Sequence, residues 1–164
     1  MIVISDTSPI SGLFLIRYLH LLKWLYGKVI LPKAVLDELL RLTEFGHDLS
    51  EITHADWIEV LEPTDWDKVR ELRINLDEGE SQAIALAKEL SADLLLIDEA
   101  RGRTFAKAEG LAIVGLLGVL LEAKAKRHIP KVKPLLELLV NETSFRIDIR
   151  LIREILEIAG EFES

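Results

Sequence analysis

Cysteine is absent from the 164 residues, which excludes a disulfide framework, a cysteine-ligated zinc site and a thiol nucleophile. Histidine is sparse: His20, His47, His54 and His128 show no ligand spacing, which argues against a histidine-based zinc site. Gln82 is the only glutamine, Asn75 and Asn141 the only asparagines, and Met1 the only methionine. So few thermolabile side chains beside many Glu, Lys and Arg make a thermophile-like composition. Long apolar runs are missing as well. Ile113–Leu121 is broken by glycines and stops at Glu122, far short of the roughly 20 residues of a membrane span. The start, Met1-Ile-Val-Ile-Ser-Asp6, has no basic n-region, so no signal peptide is expected. These absences predict a soluble cytoplasmic protein with no membrane partner. The Gly-x-x-x-x-Gly-Lys loop and the Gly-x-Ser-x-Gly elbow are also missing, which removes two routes to phosphate binding and acyl transfer.

What is present is a chain that is 49% hydrophobic and 29% charged. That balance and length suit one globular domain rather than a disordered chain. The net charge of −8 stands against a nucleic-acid protein, because phosphate binders usually carry a basic footprint. One basic stretch, Lys124, Lys126, Arg127, Lys131 and Lys133, offers a surface for RNA or an acidic partner, with a solvated face as the plainer reading.

Short apolar strands alternate with longer helical patterns. Strands are predicted at 2–4, 29–31, 57–61, 93–97 and 112–114, that at 93–97 as a continuous apolar run of the kind buried in a parallel sheet. Ser8-Pro9 reads as a cap and first turn, and Leu13, Ile16, Leu19, Leu22 and Leu25 carry one helix to Gly27. Further helices are predicted from Pro32 to near Gly46, over 65–73, from Asp77 through Leu90, and over 100–109, 116–125, 130–140 and 149–159. A last amphipathic stripe runs through Ile149, Ile152, Leu156 and Ala159. Strands separated by helices predict an α/β fold: a three-layer α/β/α sandwich around a mainly parallel sheet.

In such sheets, sites form beyond the carboxyl ends of the strands. Two apolar strands end there in aspartate, Asp6 and Asp98. If those strands are neighbours, two carboxylates share one rim; otherwise each Asp merely caps its helix. Glu38 borders the stripe of Val35, Leu39 and Leu42, with Asp37 as its rival. Glu80 follows Asp77 at capping-box spacing, a structural role, or is aimed from the first helical turn into the acidic group. Four gathered carboxylates repel one another unless a hard cation neutralises them. Mg²⁺, with its oxygen ligands and waters, suits the purpose.

Five segments occur in order: Ile4-Ser-Asp6-Thr-Ser-Pro-Ile10, Pro32-Lys-Ala-Val-Leu-Asp-Glu38-Leu, Leu76-Asp-Glu-Gly-Glu80-Ser-Gln-Ala-Ile84-Ala-Leu-Ala, Leu94-Leu-Leu-Ile-Asp98-Glu-Ala-Arg-Gly-Arg103 and Gly115-Leu-Leu-Gly118-Val-Leu-Leu-Glu-Ala-Lys124. Together they resemble the PIN-domain family, in particular the PIN-like subfamily related to the VapC toxins of prokaryotic toxin–antitoxin pairs. The resemblance implies an Mg²⁺- or Mn²⁺-dependent ribonuclease whose acidic, metal-binding site falls on Asp6, Glu38, Glu80 and Asp98. Asp6 and Asp98 are then the main ligands, and Glu38 and Glu80 bind metal or orient the attacking water. The hydroxyl after the first Asp falls on Thr7 or Ser8, and Glu99 is an extra acid. Arg101, Arg103 and Lys107, just past Asp98, are candidates for substrate phosphate. The expected partners are RNA, a second copy in a homodimer, and a small antitoxin that inserts a side chain into the site.

Two features depart from the subfamily pattern or extend it. Leu116 stands where a Gly-Thr-Leu-Gly motif often has threonine, which bears on substrate handling rather than on the fold. Residues 1–129 are read as the nuclease domain and 130–164 as a C-terminal helical extension packed on it. The rival reading is a catalytically weak PIN-like module that keeps the acids as remnants and acts through protein contacts. A phosphatase using Asp6 as nucleophile ranks lower, because Ser8 occupies the position where haloacid-dehalogenase-type enzymes carry a second Asp.

Overall fold

The computed structural model describes residues 1–163; Ser164, the end of the expected extension, lies outside the described residues. Five strands, β1 (Val3–Ser5), β2 (Val29–Pro32), β3 (Ile58–Leu61), β4 (Leu94–Leu96) and β5 (Ile113–Val114), form one sheet in the order β3-β2-β1-β4-β5. Every neighbouring pair is parallel. Alternate strand residues point to opposite faces, and the burial follows suit. Val3, Val29, Leu31 and Leu96 enter one apolar core, while Ile4, Ile30, Leu95 and Ile97 enter another. The sheet is therefore the middle of three layers, as the alternation of elements predicts.

The first face carries α1 (Thr7–Leu15), α2 (His20–Tyr26), α3 (Lys33–Leu40), the short α4 (Ser50–Thr53), α8 (Leu116–Ala125) and α9 (Lys133–Glu142). The second carries α5 (Trp66–Arg73), α6 (Glu78–Glu89) and α7 (Ala100–Ala108). The helix α10 (Ile149–Ile158) adds Ile155 to the first core. Leu135, Leu136 and Leu139 of α9 lie in that same core beside Ile10, Leu13 and Leu31. Glu161 fastens the chain end, accepting hydrogen bonds from the Val132 and Lys133 amides (2.8 and 3.0 Å) and from Lys124 Nζ (2.9 Å). Among the described residues no helix is long and apolar enough to cross a membrane.

Several local expectations need correction. The helix predicted from Ser8 to Gly27 is two helices, because Arg17 adopts φ 67°. Tyr18 N donates to Leu13 O (2.8 Å) and Arg17 N to Phe14 O (3.1 Å), a Schellman closure with arginine where glycine is usual. The break turns both Ile16 and Leu19 into the core, which outweighs the roughly 1 kcal/mol cost of a left-handed residue. The cap of α1 is Asp6 rather than Ser8, so Pro9 sits at the third helical position. The α9 helix starts at Lys133 rather than Pro130. In α10 the covered stripe runs Ile152, Ile155, Leu156 and Ala159, and Ile149 is 83% exposed. Lys124 does not belong to a free basic stretch, since its ammonium is committed to Glu161 and the Ala159 carbonyl.

Candidate functional site

The sheet order brings β1 and β4 side by side, with Ser5 opposite Leu96. Asp6 and Asp98 therefore emerge on one rim, at the point where the chain, having built β2 and β3 on one side of β1, crosses to the other side. Buried polar side chains among the described residues are few: Ser5, Asp6, Glu80, Ser81 and Gln82. All five belong to the end of β1 or the first turns of α6, the helix lying over that rim.

Asp6 is the centre of the group. It is 5% exposed, and its carboxyl is pushed up from 3.8 to about 7. Burial is the largest cause; the charges of Asp77, Glu38 and Asp98 add to it, and the Thr7 amide opposes it. Glu38 is oriented from α3 by Thr7, whose Oγ1 donates to Glu38 Oε2 at 2.8 Å. Its rival Asp37 is exposed and paired with Lys33 on the outer side of the helix. Between the two expected hydroxyls, Thr7 contacts an acid, while the exposed Ser8 lines a neighbouring cleft.

On α6 both readings of Glu80 hold at once. Asp77 Oδ1 accepts from the Glu80 amide (2.8 Å), the backbone half of a capping box. The Glu80 side chain is 8% exposed, and its pKa is raised, first by burial and then by Asp77, Asp6 and Glu99. Asp77 thus joins the group that the sequence reading held to four, a role hidden by its service as a cap. Gln82 is a second residue that reading missed. Its Oε1 accepts from the Ala34 amide (3.1 Å), tying α6 to the helix that carries Glu38. Its rarity in this chain is the only sequence signal.

Asp98 sits at the end of β4. Its Oδ1 accepts from the Leu116 amide (2.8 Å), while Oδ2 is buried with no hydrogen-bond partner. Burial raises its pKa; the Leu116 amide and the Arg103 charge act the other way. The contact at position 116 is made by the backbone amide, and the leucine side chain that stands in place of threonine is fully buried. Arg103 is half-buried, its Nη1 bonded to the Ile97 carbonyl (3.0 Å). Glu99 is exposed and caps α7, and Arg101 and Lys107 are exposed on α7, outside the clefts beside the rim.

Glycines make the approach possible. A Cβ on Gly79 would lie 3.1 Å from Glu38 Oε2 and 3.5 Å from Asp6 Oδ1; one on Gly115 would lie 2.8 Å from Asp98 Oδ1. On Gly102 it would meet Ile97 Cδ1 at 2.8 Å and Glu80 Oε2 at 3.1 Å. Among the described residues, no three acids or histidines stand close enough to hold an ion as they are placed. The donor set nevertheless fits a hard cation: oxygen ligands only, an orphaned buried carboxylate oxygen on Asp98, and a buried acid at the centre. Two clefts flank the rim. One of about 500 Å³ holds Glu38, Asp77, Arg41, Arg73 and Trp66; the other, of about 740 Å³, holds Ser8, Asp98 and Arg103.

A PIN-domain family model, that of the DUF3368 family, matches residues 2–161. The chain is a PIN domain. The PIN fold is typically that of a nuclease, and PIN domains generally use divalent metal ions. A PilT N-terminus domain protein from the hyperthermophilic archaeon Sulfolobus solfataricus P2 is similar in structure, with a TM-score of 0.44 and 16% identity, over 90% of this chain and 100% of that one. No curated protein matches the chain.

Proposed function

We propose that this PIN domain is an endoribonuclease that hydrolyses RNA phosphodiester bonds with Mg²⁺ or Mn²⁺. The observation that carries the proposal is the buried Asp6 carboxylate, set among the charges of Glu38, Asp77 and Asp98. Such a group is a liability to the fold and a ready ligand for a divalent ion. Asp6 and Asp98 would hold the ion, with Glu38 and Glu80 as further ligands or as acceptors that orient the attacking water. A bound ion supplies a polarised phosphate and a water of lowered pKa. Thr7 holds Glu38 in place, and the Leu116 amide fixes one Asp98 oxygen, leaving the other buried and without a hydrogen-bond partner. Arg103 supplies positive charge beside Asp98 for a substrate phosphate. Bound divalent charge also answers the objection raised by the net −8, since it reverses the local sign where phosphate approaches.

In the same reading the protein is a VapC-like toxin of the cytoplasm, works as a homodimer, and is inhibited by a small antitoxin that inserts a side chain among the acids. The rival reading, an inactive module acting through protein contacts, is favoured by the spacing of the acids, of which no three converge as they stand. The deciding experiment follows RNA cleavage in Mg²⁺ or Mn²⁺ by the wild type, Asp6→Asn and Asp98→Asn. Cleavage by the wild type and its loss in both variants is the expected result. Unchanged cleavage in either variant overturns the site assignment, and a wild type that neither cleaves nor binds Mn²⁺ establishes the remnant reading.

A further inference from the structure

The segment between α9 and α10 returns to the edge strand β5, and it does so beside Asp98. Together they enclose the cleft of about 740 Å³, inside the roughly 300–1,000 Å³ range of small-molecule sites. One wall is Ile113, Val114 and Leu117 of β5 and α8; the facing wall is Phe145, Ile147 and Leu151. Its polar lining includes Ser8, Ser11, Ser144, Arg103 and Arg146, with Asp98 and Glu99 from the acidic rim. Arg146 is exposed and makes no hydrogen bond or ion pair to another described residue.

We infer that this cleft is a subsite for one unstacked nucleotide of single-stranded RNA, with its base between β5 and Phe145 and its phosphate on Arg146 and Arg103. The inference rests on the proposed RNA hydrolysis and deepens it by giving the C-terminal segment a role in holding the substrate. Three observations choose this occupant. The cleft is continuous with the carboxylate rim through Asp98, so a chain held there is delivered to the reacting centre. Two guanidinium groups and several hydroxyls suit phosphate, for which arginine offers a planar bidentate fork. Apolar walls with a half-buried aromatic ring suit a base face, and only an unstacked base can enter between them. A base paired and stacked in a duplex stays outside. The C-terminal segment thus decides which RNA reaches Asp98.

The test is steady-state cleavage of a single-stranded oligoribonucleotide and of a blunt duplex of the same sequence, in Mg²⁺ or Mn²⁺. Arg146→Glu is expected to raise KM for the single strand about tenfold, to leave kcat nearly unchanged, and to lower the salt slope of binding by about one. Leu151→Trp, which fills the cleft from a partly exposed position, is expected to raise KM as well. Arg146→Lys, which keeps the charge but not the bidentate fork, restores part of the loss. Lys23→Glu makes the same charge change on exposed α2 and is expected to change nothing. Wild-type cleavage with unchanged KM in both cleft variants overturns the inference, assigns the cleft to another occupant such as a partner peptide, and leaves the nuclease reading standing. An equal effect from Lys23→Glu, or equal cleavage of duplex and single strand, also overturns it. A wild type inert on both RNAs removes the nuclease reading and this one together.

Discussion

Asp6→Asn is expected to stabilise the metal-free protein while abolishing its activity. The wild-type carboxyl is 5% exposed and pushed up from 3.8 to about 7 by burial and by the neighbouring acids. At about 1.4 kcal/mol per pKa unit, the ionised group costs the fold at most about 4 kcal/mol. Relaxation around the site reduces that figure, and a gain of about 2 kcal/mol for the neutral amide is the working value. In a domain of this size it raises Tm by about 4–8 °C. The sign with pH follows from a folded-state pKa above the unfolded one. Below about pH 3 both states are protonated and the two proteins melt alike. The wild type then loses stability as pH rises toward 7, and the gap is complete at pH 8. Calorimetry of both proteins with EDTA at pH 3 and pH 8 measures the gap. Excess Mn²⁺ at pH 8 reverses the order, because only the wild type gains binding free energy, about 2.7 kcal/mol at one hundred times Kd. An Asn variant less stable than the wild type at pH 8 without metal, or a gap independent of pH, would refute the reasoning.

Gly102→Ala places a methyl group 2.8 Å from Ile97 Cδ1 and 3.1 Å from Glu80 Oε2. It is expected to cost about 1–3 kcal/mol in a melt and to weaken Mn²⁺ binding by titration calorimetry; undiminished affinity removes Glu80 from the ligand set. Thr7→Val removes the 2.8 Å bond to Glu38, and kcat should fall about tenfold, equivalent to about 1.4 kcal/mol, with little change in KM. Glu161→Gln loosens the C-terminal fastening and should lower stability by about 1–2 kcal/mol in urea. Burial alone would raise the Glu161 pKa, but the Val132 amide, Lys124 and the Lys133 amide hold it below 4.5. Its contribution is therefore present at neutral pH and fades as pH falls below about 4.5, and the variant should not show that part of the acid sensitivity.

Much of the architecture is legible in local chemistry. Asp65, Asp77 and Asp148 each cap a helix with a side-chain acceptor, and Gly27, Gly46 and Gly160 close elements at positive φ. The break at Arg17 is not legible, because its cause is the packing of Ile16 and Leu19 on the sheet. Nor does the stripe of α10 announce its phase: Ile149 and Ile155 are alike in sequence, and only the neighbouring helices decide which is covered. The same limit kept Asp37 and Glu38 as rivals. One residue of helix phase separates them, and Lys33 and Thr7 settle the choice by pairing with one each.

The sequence by itself determines that apolar strands end in carboxylates, because strand, cap and turn preferences act over a few residues. It likewise determines the excess of acid and the lack of thiol and clustered imidazole, which leave oxygen as the ligand chemistry at hand. Tertiary structure alone decides that β1 lies beside β4, which turns two separate strand-end acids into one rim. It decides that Asp77 and Gln82 serve that rim and that residues 143–151 wall the cleft next to Asp98. Those outcomes depend on contacts between segments tens of residues apart. Burial and mutual charge, which change the acidity of Asp6, exist only once those segments meet.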